Sequence, residues 1–112
     1  MEAAVAAKVP VAVQRVGSML TPFFLSAAQA AAMRAACGAT GVAAVGPALK
    51  NYADVLQCDT AAYGKFFRAM LDRGVMLPPS QFEAWFVSTA HTEGDIDQTV
   101  DAAKEAFGVV RA

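Results

Sequence analysis

The 112-residue chain has one histidine, two cysteines and one tryptophan. Each scarcity removes a class of function. A single histidine, His91, with carboxylates scattered along the chain makes a poor metal centre. Cys37 and Cys58 are too few for the disulfide framework of a small secreted domain, and no C-x-x-C spacing points to zinc. They read as reduced, partly buried thiols of an intracellular protein. Basic surplus is also missing. Nine Lys and Arg face ten Asp and Glu, for a formal charge of −1 and a pI near 5.7. A phosphate backbone finds no electrostatic footprint here, so nucleic acid is not an expected partner. There is no G-x-G-x-x-G, and no glycine-rich phosphate loop ending in Lys-Ser/Thr. Long apolar runs are missing too. The longest uncharged stretch, Val16 to Met33, contains Gly17, Ser18, Thr21, Pro22, Ser26 and Gln29, whereas a spanning helix is more uniformly apolar. No membrane partner is expected. The opening MEAAVAAKVP is too weakly apolar for a signal-peptide core, carries Glu2 where positive charge is required, and lacks the Arg- and Ser-rich character of a transit peptide. The chain is therefore expected to carry no targeting segment.

What is present is apolar bulk. At 56% hydrophobic and 17% charged residues, the chain has the composition of one packed domain. It is uneven: sixteen of the 26 alanines fall in residues 1–48, and eight of the ten acidic residues lie from Asp59 onward. Such unevenness in so short a chain suggests a piece of something larger.

Val11 to Val16 alternates apolar and other residues, and Met19 to Leu25 is a second β-favouring run. Gly17-Ser18 between them suits a two-residue II′ hairpin turn. Pro22 in the second run predicts an edge position or an early strand end. Ser26 to Cys37 reads as an alanine-rich helix with Ser26 as N-cap and Gly38 as stop. Gly38 to Pro47 reads as a loop, and a short helix is expected over about Leu49 to Leu56. Asp59 or Thr60 caps a helix whose Tyr63, Phe66, Phe67, Met70 and Leu71 form one stripe ending at Gly74. Val75 to Leu77 and Trp85 to Thr89 read as strands, with Pro78-Pro79 between. Thr92-Glu-Gly-Asp95 is a capping box opening a final helix with Ile96, Val100, Ala103 and Phe107 on one face. The fold class implied is α+β: one small, mostly antiparallel sheet with helices on a face.

Candidate chemistry is sparse. His91 follows a strand and precedes a cap, where a ring hydrogen-bonds backbone; no Ser or Cys nucleophile is tied to it by a motif, and it reads as structural. Lys8, Lys50, Lys65 and Lys104 lack the desolvated setting that a Schiff-base lysine needs. Met70 and Met76 read as core or strand residues. Glu83 lies between Phe82 and Trp85 beyond a proline-fixed turn, and is either a hydrated loop residue or a site group.

The run from Phe66 to Asp97, with Ser80-Gln-Phe-Glu-Ala84 and Ala90-His-Thr92 inside it, resembles the C-terminal end of the glutamate-1-semialdehyde 2,1-aminomutase family. Arg15-Val-Gly-Ser-Met-Leu-Thr-Pro-Phe-Phe24 is similar to that family's R-V-G-S-M-x-x-x-F-F hairpin, and lies upstream in the expected order. The resemblance covers residues 11–25 and about 50–108. It implies the C-terminal small domain of a fold-type-I, class-III aminotransferase-like enzyme that uses pyridoxal phosphate. Such an enzyme converts glutamate 1-semialdehyde to the tetrapyrrole precursor 5-aminolevulinate as a homodimer. The chain would be about a quarter of it. The cofactor-binding large domain with its lysine would lie upstream, so no cofactor is expected on this chain alone. One role carries over: Glu83 organises the substrate end of the pocket, with Ser80 and Gln81 as weaker members of the same loop. The resemblance further implies bacterial cytoplasm or plastid stroma.

Two departures stand out. Met76 replaces the family's usual tyrosine. Leu25 to about Lys50 holds roughly twenty residues more than the family's link, so about 26–48 is expected to be an atypical Ala/Gly-rich insert: a lineage insertion, or translated non-coding sequence. Two other readings remain: a non-catalytic docking or dimerisation module, self-associating or bound to a large-domain partner, and the small domain of another class-III aminotransferase.

Overall fold

The computed structural model describes residues 2–37 and 49–112. The chain runs α1 (Glu2–Ala7), β1 (Val11–Val16), β2 (Met19–Phe24), α2 (Ala27–Cys37), α3 (Tyr52–Val55), α4 (Thr60–Asp72), β3 (Trp85–Phe86) and α5 (Glu93–Arg111). This is the expected α+β class, with one antiparallel sheet in the order β1-β2-β3.

Gly17 turns the hairpin at φ +58°, and Ser18 keeps a negative φ, which fits a II′ rather than a I′ turn. Side chains alternate across the hairpin. Val11 and Phe24 face a main core with Tyr63, Phe66 and Met70 of α4 and Ala102, Ala106 and Phe107 of α5. Ala12 and Phe23 face a second, smaller cluster with Leu25, Ala30, Met33, Leu49 and Cys58. Aromatic rings dominate the main core: Phe66 lies 4.6 Å from Phe107 and 5.2 Å from Phe24, and stacks on Trp85 at 6.5 Å.

Several helix ends follow from local chemistry. The Asp59 side chain accepts from Ala62 N–H and caps α4. Gly74, at φ +80°, closes it with paired bonds from Gly74 N–H to Leu71 O and from Val75 N–H to Met70 O. The Ser26 hydroxyl accepts from Gln29 N–H while Gln29 Oε1 accepts from Ser26 N–H, a reciprocal cap on α2.

The structure corrects several expectations. Val75 to Leu77 forms no strand: the chain leaves Gly74 toward Pro78-Pro79, and no ladder partner is assigned to it. The strand expected over Trp85 to Thr89 shrinks to Trp85–Phe86, and the helix over Leu49 to Leu56 shrinks to Tyr52–Val55. Leu71 is 46% exposed because the buried side of α4 turns toward Ala69. Ile96 and Val100 are also exposed, since the first half of α5 reaches beyond the main core. The loop expected at Gly38 to Pro47 lies outside the described residues. Helix α1 has no counterpart in the sequence reading. It ends on Lys8 at φ +57°, with Val9 N–H bonded to Ala4 O, where glycine would be the usual signal.

Pro22 sits mid-strand, opposite Val13. The bond from Leu25 N–H to Pro10 O sets the β1–β2 phase, which points the backbone groups of Leu20, Pro22 and Phe24 toward β3. β3 pairs with Met19 and Leu20 and goes no further. Neither expectation for Pro22 holds: β2 is the central strand and runs on to Phe24, and it is β3 that stops short of the missing N–H.

Candidate functional site: the loop from Pro78 to Ala84

Continuing the Leu20↔Trp85 register would set Glu83 opposite Pro22 and Gln81 opposite Phe24. Pro22 has no N–H to offer, so the backbone of Glu83 departs from the ladder, and its carbonyl accepts instead from the Thr21 hydroxyl at 3.3 Å. At Phe24 a side chain takes the strand's place. Phe24 N–H donates to Gln81 Oε1 at 3.2 Å, and Gln81 is 1% exposed.

Other bonds fix the loop from below and within. The Tyr63 hydroxyl donates to Pro78 O at 2.6 Å, Ser80 Oγ accepts from Phe82 N–H at 3.1 Å, and Glu83 N–H donates to Ser80 O. Burial pushes the Tyr63 phenol above its ordinary range and the charge of Glu83 adds to the rise, so the hydroxyl stays a neutral donor. The Trp85 indole N–H is close enough to oppose that rise, yet it completes no hydrogen bond. Gln81 Nε2 is likewise buried without a partner.

The result separates the three expected residues. Gln81 is locked inside, Ser80 is half-buried in the turn, and Glu83 points to solvent with no hydrogen-bond partner for its carboxylate among the described residues. Beside them a cleft of about 230 Å³ opens between the loop and the first turns of α4, lined by Thr60, Tyr63, Gly64, Ser80, Gln81 and Phe82. Tyr52 of α3 leans on Phe82 edge-to-face at 6.3 Å, a neighbour that no sequence signal marked.

His91 lies elsewhere. Its exposed ring accepts Ser88 N–H at Nδ1 at 3.0 Å, while the backbone N–H of His91 donates to Ser88 O. It lines a different cleft, of about 250 Å³, with Met76, Trp85 and Ile96. That turn leads into the α5 cap, where Thr92 N–H and hydroxyl both donate to Asp95 Oδ2. These bonds, the backbone one first, hold the Asp95 carboxyl below its usual 3.8. A depressed folded-state pKa contributes stability present above the unfolded value and lost as pH falls through the folded one. Acid titration followed by circular dichroism should therefore show α5 weakening below about pH 3.8. An Asp95→Asn chain should lack that part of the acid response; an identical acid profile in both chains would refute the assignment.

No protein-family model matches the chain. Curated relatives do. The glutamate-1-semialdehyde 2,1-aminomutase of Thermomicrobium roseum is 46% identical over 101 residues, which is 90% of this chain and 19% of that protein. That of an Anaeromyxobacter species is 47% identical over 108 residues, 95% of this chain and 20% of the relative. That of Heliobacterium modesticaldum is 46% identical over 111 residues, 99% and 21% respectively. The resemblance is to the C-terminal fifth of glutamate-1-semialdehyde 2,1-aminomutase.

The chain spans about a fifth of the length of the curated aminomutases it matches, somewhat less than the quarter expected. Pyridoxal phosphate, the cofactor the aminomutase resemblance implies, needs a desolvated lysine of lowered pKa. Lys8, Lys50, Lys65 and Lys104 are all exposed. The Lys104 ammonium is raised rather than lowered, by its hydrogen bond to Asp101 at 2.9 Å. These lysines do not fit the group. Among the described residues no cluster of His, Cys, Asp or Glu could hold a metal ion, and no helix is long and apolar enough to cross a membrane.

Proposed function

We propose that this chain is the small-domain part of a glutamate-1-semialdehyde 2,1-aminomutase, and that it contributes the Ser80–Glu83 loop to the substrate end of that enzyme's pocket. Identity above 45% to three such enzymes, extending over nearly all of this chain, supports the reading most strongly. Glu83 is the proposed substrate-end group. The loop leaves its carboxylate free to meet a substrate amine or an ordered water, while Gln81 and Ser80 hold the backbone that presents it. In the whole enzyme, glutamate 1-semialdehyde would become 5-aminolevulinate through pyridoxal phosphate bound by a large domain, within a homodimer. The bacterial relatives favour a bacterial cytoplasm over a plastid.

Alone, the chain should not react with the cofactor. Mixed with pyridoxal phosphate, it is expected to show no imine absorbance and no borohydride-fixed adduct on its four lysines. A stoichiometric adduct on any one of them would overturn this reading.

A docking role is the second reading, favoured by one surface. Met76 is 77% exposed and Phe86 66%, with Ile96 nearby in the same cleft, so the β3 side of the domain is apolar and open. The chain is expected to self-associate through it in sedimentation experiments. A stable monomer that binds no hydrophobic dye would count against docking.

A further inference from the structure

Helix α2 belongs to neither the loop nor the main core. Among its described residues Gln29, Ala30 and Met33 are buried, and the rest face solvent. Ala30 and Met33, one turn apart, close the second cluster over Ala12, Phe23 and Leu25, and no residue of that cluster is shared with the main core. Among the described residues one long-range hydrogen bond ties the helix down, from Gln29 Nε2 to Asp54 O at 2.7 Å. Over residues 27–36 the buried apolar side chains are one alanine and one adaptable methionine, which is little area for a helix of this length. On the same side of the sheet a groove of about 150 Å³ stays open, lined by Gln14, Thr21, Phe23 and Ala84 among others. Phe23 therefore lies at the end of the groove and also under the helix.

We propose that α2 is a displaceable cover of the second sheet face. It opens as a local unit while the main core stays folded, and its opening extends the groove into a continuous apolar surface over Ala12, Phe23 and Leu25. In the closed state α2 is the occupant of that surface, and anything docking there has to displace it. Regions held by few buried apolar contacts open at a fraction of the global unfolding free energy, as this separation of clusters requires.

Cys58 reports on the motion, since it lies in the second cluster at 7% exposure, where burial also pushes its thiol pKa up. In a Cys37→Ser background it is the single thiol. Its labelling by Ellman's reagent is followed against denaturant, with Trp85 fluorescence reporting the main core. Labelling is expected through an opening much less denaturant-dependent than the Trp85 transition. Met33→Asp should speed it roughly tenfold or more and leave that transition in place, and Met33→Leu should restore the slow rate. Labelling that tracks global unfolding in the parent background overturns the proposal. So does a Met33→Asp chain that is unfolded, or whose Trp85 transition shifts as far as its labelling does.

Discussion

Phe66→Ala is expected to destabilise the domain by about 3–5 kcal/mol, the usual cost of deleting a fully buried aromatic ring. Phe66 is 1% exposed and stands at the junction of three rings, between Phe24 from the sheet, Phe107 from α5 and Trp85 from β3. Domains of this size hold only about 5–15 kcal/mol in total, and this substitution should leave a large fraction unfolded at moderate urea. Denaturation followed by Trp85 fluorescence and by circular dichroism measures it. A loss below about 1 kcal/mol would mean that the ring cluster is not what joins sheet to helices.

The second large effect concerns the loop. Gln81→Ala removes the acceptor of Phe24 N–H, stranding a buried backbone donor at about 1–3 kcal/mol, and leaves a hole where a fully buried side chain stood. Together these should cost about 2–4 kcal/mol. Part of it is offset because the unpartnered Nε2 leaves with the side chain. The effect should be concentrated locally. Amide exchange at Phe24 should accelerate sharply, while amides in the middle of α5 should change only as far as global stability does. If Phe24 exchange keeps its parental ratio to the α5 amides, Gln81 does not substitute for a strand.

The sequence was a good guide wherever structure is decided within a few residues. The Thr92 to Asp95 cap, the Gly17 turn, the Asp59 cap and the Gly74 stop all have their own donors, acceptors or backbone freedom nearby. It misled where the outcome depends on a distant partner. Periodicity placed Leu71 on a stripe, yet at about 100° per residue it lies about 80° from Tyr63, on the side away from Ala69. The buried side is centred between those two. Ile96 and Val100 share a face with Phe107, but the core ends before it reaches them. Val75 to Leu77 has strand-forming residues and no strand to pair with. Helix α1 was missed because its stop uses Lys8 in the left-handed region, at a cost that no local signal advertises.

The loop shows the same division. Resemblance located Ser80, Gln81 and Glu83, but a motif does not say which of them points inward. That depends on strand register and on a proline some sixty residues earlier in the chain.

Pro22 has a consequence for the behaviour of the chain in crowded solution. A short third strand normally leaves part of its neighbour's backbone open, and an exposed strip of that kind invites a strand from another molecule to add on and begin a fibril. Here the strip beyond Leu20 offers such a strand no N–H at Pro22, and the one at Phe24 is already held by Gln81. The same residue that turns Glu83 outward also denies that edge to a growing aggregate.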